Sequence, residues 1–167
     1  MGSTGFEHAI TDIVADFAGG TTLPYPVIFV RIMGALLLSA IIGLEREARD
    51  RPAGLRTHML VSLAACVFAI LAIEVPNAAI FDGREINSDP LRVVEAVTSG
   101  VAFLAAGFIV FSKGEVHGLT TGAGIWLAAA IGVSTGFGMW GLALAAAVFG
   151  SIVLLLLLRL ERWMNWK

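Results

Sequence analysis

Glu45, Arg46, Glu47, Arg56, Thr57 and His58 lie within fourteen positions of one another. Acids, a hydroxyl and an imidazole this close to long apolar runs could hold an ion or a charged partner, because partial desolvation strengthens charged hydrogen bonds. The surrounding run, GLEREARDRPAGLRTH from Gly43 to His58, has seven ionisable residues in a row of twelve, with Pro52 and Gly54 as helix punctuation. Its arginines alone could serve to fix membrane orientation. The near balance of acids argues for more, since acids contribute little to topology. His58 is either a titrating group or an interfacial histidine hydrogen-bonded to a neighbouring loop, and the second role is favoured. Thr121 joins this cytoplasmic hinge site by opening a later apolar run.

A second candidate pair stands inside the apolar runs. Arg31 and Glu95 each fall about one turn inside the outer end of a span, 64 positions apart (95 minus 31). A lone charge costs about 2.5 to 3.5 kcal/mol at a span's centre and less near its ends. An intramembrane ion pair between Arg31 and Glu95 is therefore expected. The alternatives are snorkelling of Arg31 to the headgroups and interaction of Glu95 with its own helix N-terminus. Nothing reads as catalytic: there is no HExxH helix, no nucleophile with its base, and GLTTGAG lacks the P-loop lysine and spacing. A non-enzymatic protein without cofactors is expected, with its metal ligands, if it has any, unidentified. Cys66 is the single cysteine, so neither an intrachain disulfide nor a cysteine metal cluster can form.

The elements that must position these groups are helices in a bilayer. Of 167 residues 57% are hydrophobic and 14% charged, and mean hydropathy is +0.86, which describes an integral membrane protein. Apolar stretches run over about Val27–Leu44, Thr57–Ile73, Val93–Phe111, Leu119–Phe137 and Met139–Leu158. Their lengths predict five transmembrane helices and not barrel strands. Three regions follow: an outer or interfacial segment 1–26, a five-helix domain 27–158 and a cytoplasmic tail 159–167. No cleavable signal peptide is expected, because residues 1–26 carry acids where a basic region would stand.

Residues 5–18 space Phe6, Ile10, Ile13, Val14 and Phe17 as an amphipathic helix on the membrane surface would; a frayed tail is the competing reading. Eight of eleven lysines and arginines collect on one side (Arg46, Arg49, Arg51, Arg56, Lys113, Arg159, Arg162, Lys167), against Arg31, Arg84 and Arg92. The positive-inside rule then places the N-terminus outside and the C-terminus in the cytoplasm. Trp163 and Trp166 would mark the inner interface, Tyr25 and Trp140 the outer one. Ser88, Asp89 and Pro90 read as a helix start. No basic run suits a phosphate backbone, so no nucleic-acid partner is expected.

The chain also compares with itself at an offset of 64. Six of the twelve positions from 54 to 65 recur at 118 to 129, and Gly43 matches Gly107. This predicts two parallel helix-hairpin repeats followed by a fifth helix, against chance likeness among Gly, Ala and Leu. Gly124, Ala128, Gly132 and Gly136 recur every four residues, as do Ala35, Ser39 and Gly43, which are stripes suited to close helix packing.

GLEREARDRPAGLRTHMLVSLAA, SGVAFLAAGFIV and GLTTGAGIWLAAAIG together resemble the transmembrane domain of the MgtC/SapB family, over roughly residues 31–140. The resemblance implies a bacterial cytoplasmic (inner) membrane, a role in adapting to magnesium limitation, and in some members survival inside host cells and restraint of the F-type ATP synthase. Two departures stand out. Where the family has SGIGFLGAG with a glutamine shortly before it, this chain has SGVAFLAAG with Ala96 at that position and Glu95 beside it. Many members also carry a soluble domain after the fifth span, whereas this chain stops at Lys167. Two functions are expected to compete: a regulator acting through contacts with other membrane proteins, and a small transporter or channel for an ion such as magnesium or phosphate. A homodimer is expected from the small-residue stripes.

Overall fold

A computed structural model describes residues 3–78, 89–112 and 115–163; for residues 3–5, 12, 16–18, 110–112, 115 and 157–163 only the backbone is described. The described chain is almost wholly helical. α1 spans Ser3–Ala18, α2 Tyr25–Glu47, α3 Leu55–Glu74, α4 Pro90–Phe108, α5 Leu119–Gly136 and α6 Trp140–Trp163. A 3-10 turn, Val75–Asn77, extends α3. Four helices are long and apolar enough to cross a membrane: α2, α3 with its extension, α4 and α5. The part of α6 with described side chains, Trp140–Leu156, is apolar but shorter.

Each helix begins where its local chemistry allows. Pro24 and Pro26 open α2, where an absent N–H costs nothing. Asp89 caps α4 by accepting a hydrogen bond from the Leu91 N–H at 2.9 Å, with Pro90 in the first turn. The Ser88 of that expected start lies outside the described residues, as do Arg84, Lys113 and Trp166. Gly118 precedes α5 with φ +87°, and a Cβ there would stand 1.9 Å from the Phe108 carbonyl oxygen, so only glycine fits.

The expected third span, which ran to Phe111, stops earlier. α4 ends at Phe108, and Val110–Ser112 (β1) pairs antiparallel with Glu115–His117 (β2), Phe111 opposite Val116. The apolar run misled because periodicity cannot separate a short apolar strand from the last turn of a helix.

α5 is the central helix, touching α2, α3, α4 and α6, and its closest partner is α3. The contact surface is made of small residues. Gly124, Ala128, Gly132 and Gly136 are all buried. A Cβ on Gly132 would fall 2.1 Å from the Ser62 carbonyl oxygen, and one on Gly136 2.6 Å from that of Cys66. Where α2 crosses α3, a Cβ on Gly43 would approach the Leu55 Cα to 2.8 Å. Large apolar side chains point outward instead: Phe103 is 81% exposed, and Leu37, Leu60 and Phe149 are exposed too. Small residues inside and large ones outside is the arrangement a lipid solvent selects.

The buried hydroxyls of Ser39, Ser62 and Thr135 give their hydrogen bonds to backbone, as a low dielectric favours. The Ser62 hydroxyl donates to the Ala35 carbonyl 3.1 Å away, joining α3 to α2. That of Thr135 donates within α5, to Ile131 and Gly132. On α1, Phe6, Ile10, Ile13 and Val14 are exposed.

Gly132→Leu forces α3 and α5 apart and should lower stability by about 2 kcal/mol or more, as overpacking does. Gly141→Ala, where an added Cβ meets nothing within 4 Å, should be neutral or mildly stabilising through helix propensity. Thermal unfolding of both variants in one detergent checks the contrast.

Candidate functional site

The end of the bundle where α2 stops and α3 and α5 begin is polar and tightly built. α2 is closed by a Schellman turn: the Arg51 N–H bonds the Arg46 carbonyl at 3.1 Å and the Asp50 N–H bonds that of Glu47 at 3.1 Å. Asp50, with φ +52°, takes the left-handed position, which aspartate tolerates. The chain then folds inward, for Ala53 is fully buried in a cluster with Ala65, Val97, Val101, Ile125 and Ala129.

Charge is handled on top of this turn. Arg46 is 3% exposed, and its Nε donates to Glu45 Oε2 at 2.6 Å. The other Glu45 oxygen forms an ion pair, without hydrogen-bond geometry, with Arg49 one helical turn on. Glu45 therefore neutralises a buried arginine while facing a second one. Glu47 reaches across the loop and accepts the Leu55 N–H at 2.9 Å, capping α3 with a carboxylate, the charge its positive N-terminal dipole favours. A Cβ on Gly54 would collide with that carboxylate, so the cap and the glycine require each other.

His58 is fully buried. Its Nδ1 lies 2.8 Å from the Gly54 carbonyl oxygen, a pure acceptor, so Nδ1 carries the proton. Nε2 has no hydrogen-bond partner among the described residues, and a Cβ on Gly124 of α5 would stand 3.0 Å from it. Thr121 is buried about one turn before Gly124, while Arg56 is exposed and Thr57 half-buried. The hinge group thus separates into an inward set, Arg46, His58 and Thr121 with half-buried Glu45, and an outward set, Glu47, Arg56 and Thr57. From Glu45 to Arg56 there are four arginines and three acids. No three His, Cys, Asp or Glu side chains converge on a metal position among the described residues.

Arg31 and Glu95 are not brought together. The Arg31 Nη1 donates to the Gly136 carbonyl at 2.7 Å, placing the guanidinium on the C-terminal end of α5, where the helix dipole attracts a cation. Gly138, with φ +76°, packs against the same group, and a Cβ there would come within 2.8 Å of Arg31 Nη2. Glu95 is exposed, and no salt bridge joins the two. The expected pair fails because α4 packs on α5 and α3, whereas α2 lies against α3, α5 and α6. The helix end that binds Arg31 carries no ionisable residue, so no acid in the sequence marks it; the buried Arg31 Nε has no hydrogen-bond partner among the described residues.

Sequence reasoning also missed Glu74. At the end of α3 its two oxygens accept the N–H groups of Thr22 (2.6 Å) and Leu23 (2.8 Å), fastening the segment that enters α2. A lone acid at the end of an apolar run just before Pro76 was the available signal.

Glu45→Gln strands the buried Arg46 and should cost about 3 kcal/mol, whereas adding Arg46→Met to it should recover much of that loss, because a buried charge without its partner is worse than neither. Additive losses across the two singles and the double, by thermal unfolding in detergent, would mean that Glu45 and Arg46 do not stabilise each other.

A family model described as the MgtC family matches residues 32–163. Among curated proteins the chain is similar to an uncharacterised protein of Haemophilus influenzae, 34% identical over 84% of this chain and 60% of that protein. It is also similar to YhiD of Escherichia coli (strain K12), whose name proposes a magnesium transporter, 36% identical over 83% of this chain and 62% of the relative. Protein MgtC of Brucella abortus (strain 2308) is 41% identical over 71% of this chain and 46% of its own length. The chain spans about 60% of the first two relatives. No solved structure matches.

Proposed function

The chain belongs to the MgtC family, and from that premise we propose that it is a non-enzymatic regulator in the bacterial inner membrane, serving adaptation to low magnesium through contacts with other membrane proteins. ATP synthase is one candidate partner. The observation that carries this reading is the hinge end: ion pairs and a carboxylate cap tie a charged loop to the bundle, with Arg56 exposed beside half-buried Thr57. A charged surface tied down in this way suits recognition. Four arginines against three acids, with no converging metal ligands among the described residues, suit it better than a cage for a divalent cation.

The transporter reading is favoured by a separate observation. α3 and α5 begin 64 residues apart (119 minus 55), each one position after a capping glycine, Gly54 or Gly118. We take α2–α3 and α4–α5 as two parallel repeats and α6 as a fifth span, with the N-terminus outside and a homodimer as the assembled form. The name of the Escherichia coli relative points the same way.

Arg56→Gln and Thr57→Val should each abolish rescue of growth in low magnesium while leaving protein levels unchanged, and proteoliposomes of purified protein should take up neither magnesium nor phosphate. Normal growth of both variants would leave the loop a topology signal only; uptake by this chain alone would establish the transporter. The orientation is checked by placing single cysteines at Arg51 and at Asp82 in a Cys66→Ala background. An impermeant thiol reagent should reach only Asp82→Cys from outside, and labelling of both would end the topology.

A further inference from the structure

Away from the hinge, α3 and α4 flank an apolar cleft of about 810 Å³, floored by buried Ala65, Val97 and Val101 and walled by Ala64 and Phe68 of α3 and Gly100 and Leu104 of α4. Among the described residues one charged group lines it, Arg92, in the first turn of α4. The neighbouring carboxylates among the described residues are engaged elsewhere: Asp89 caps α4, Glu74 holds Thr22 and Leu23, and Glu95 does not line the cleft. Arg92 makes no salt bridge among the described residues.

We propose that this cleft is a specific phospholipid site, with the lipid phosphate on the Arg92 guanidinium and one acyl chain lying between α3 and α4. The length fits. From Arg92 to Leu104 is twelve residues, about 18 Å of helix, which starts at the interface and ends just beyond the middle of a hydrocarbon core of about 30 Å. A single leaflet's chain fills that distance, whereas a second helix docking here would need the full span. The volume lies within the range of ligand pockets, roughly 300 to 1,000 Å³. A guanidinium at one end of an otherwise apolar trough complements an anionic head on an aliphatic tail. The site is independent of the hinge and of the proposed regulatory role.

The test is native mass spectrometry of the full chain from micelles doped with either dioleoyl phosphatidylglycerol or a monogalactosyl diacylglycerol with the same chains. The protein should retain one phosphatidylglycerol per chain about tenfold better than the galactolipid, the ratio one charge-assisted contact supplies. Arg92→Gln should bring the two lipids to parity. Gly100→Phe, where a Cβ meets nothing within 4 Å, should fill the trough and release both; Ala64→Phe on the other wall repeats that arm should the first variant fold poorly. Equal retention of both lipids by the unmodified chain, or retention unchanged by the filling variants, would overturn the proposal. A dimer mass lost on Gly100→Phe would assign the cleft to a second copy.

Discussion

The backbone of α5 approaches α3 so closely that no side chain fits between them at Gly132 or Gly136, and the remaining helices are arranged around that approach. In lipid, burying apolar surface between helices gains little, since the tails outside are equally apolar. Attraction must come from dense van der Waals contact and from polar groups that find partners. Glycine and alanine at four-residue intervals supply the first. They also explain why the protein carries its bulk outside, on Leu37, Leu60, Phe103 and Phe149.

Polar groups supply the second, and the charged ones act at helix ends while Ser39, Ser62 and Thr135 bond to backbone inside the bundle. Arg31 sits on the carboxyl end of α5, Glu47 on the amino end of α3, and Glu74 on the two N–H groups that lead into α2. Each is a charged side chain meeting backbone groups that a helix cannot satisfy by itself. Glu45 alone is given to another charge, because Arg46 is drawn under the Schellman turn into the bundle. The two bundle ends differ in consequence: one shares a single carboxylate, Glu45, between Arg46 and Arg49 and carries an outward charged face, the other has isolated side chains fastening loops.

The helices, their starts and their small-residue stripes were legible because each has a local cause. Hydrophobic length, Asp89 before Pro90, and a glycine every fourth position all act within one element. The hinge was legible as a charged cluster, though its division into buried Arg46 and His58 and outward Arg56 was not, since burial is settled by where α5 lies. Arg31 is the clearest failure. Symmetry suggested an acid 64 positions on, but cations in membranes also bind bare carbonyl ends, and a carbonyl has no letter in a sequence. The β1–β2 hairpin hid for another reason: Val110 and Phe111 continue the apolar run of α4.

The Arg31 latch has a consequence in time. Its acceptor, the Gly136 carbonyl, is 105 residues later in the chain, and ribosomes add about 5 to 20 residues per second. The first span therefore enters the bilayer with a guanidinium that must wait about 5 to 20 s for its partner to be synthesised. Until then the guanidinium lacks the carbonyl that it meets in the folded bundle. The α5–α6 turn packs on that arginine, with Gly138 against its guanidinium. Biogenesis is thus ordered along the chain: the contact that seats Arg31 can form only after Gly136 has been made.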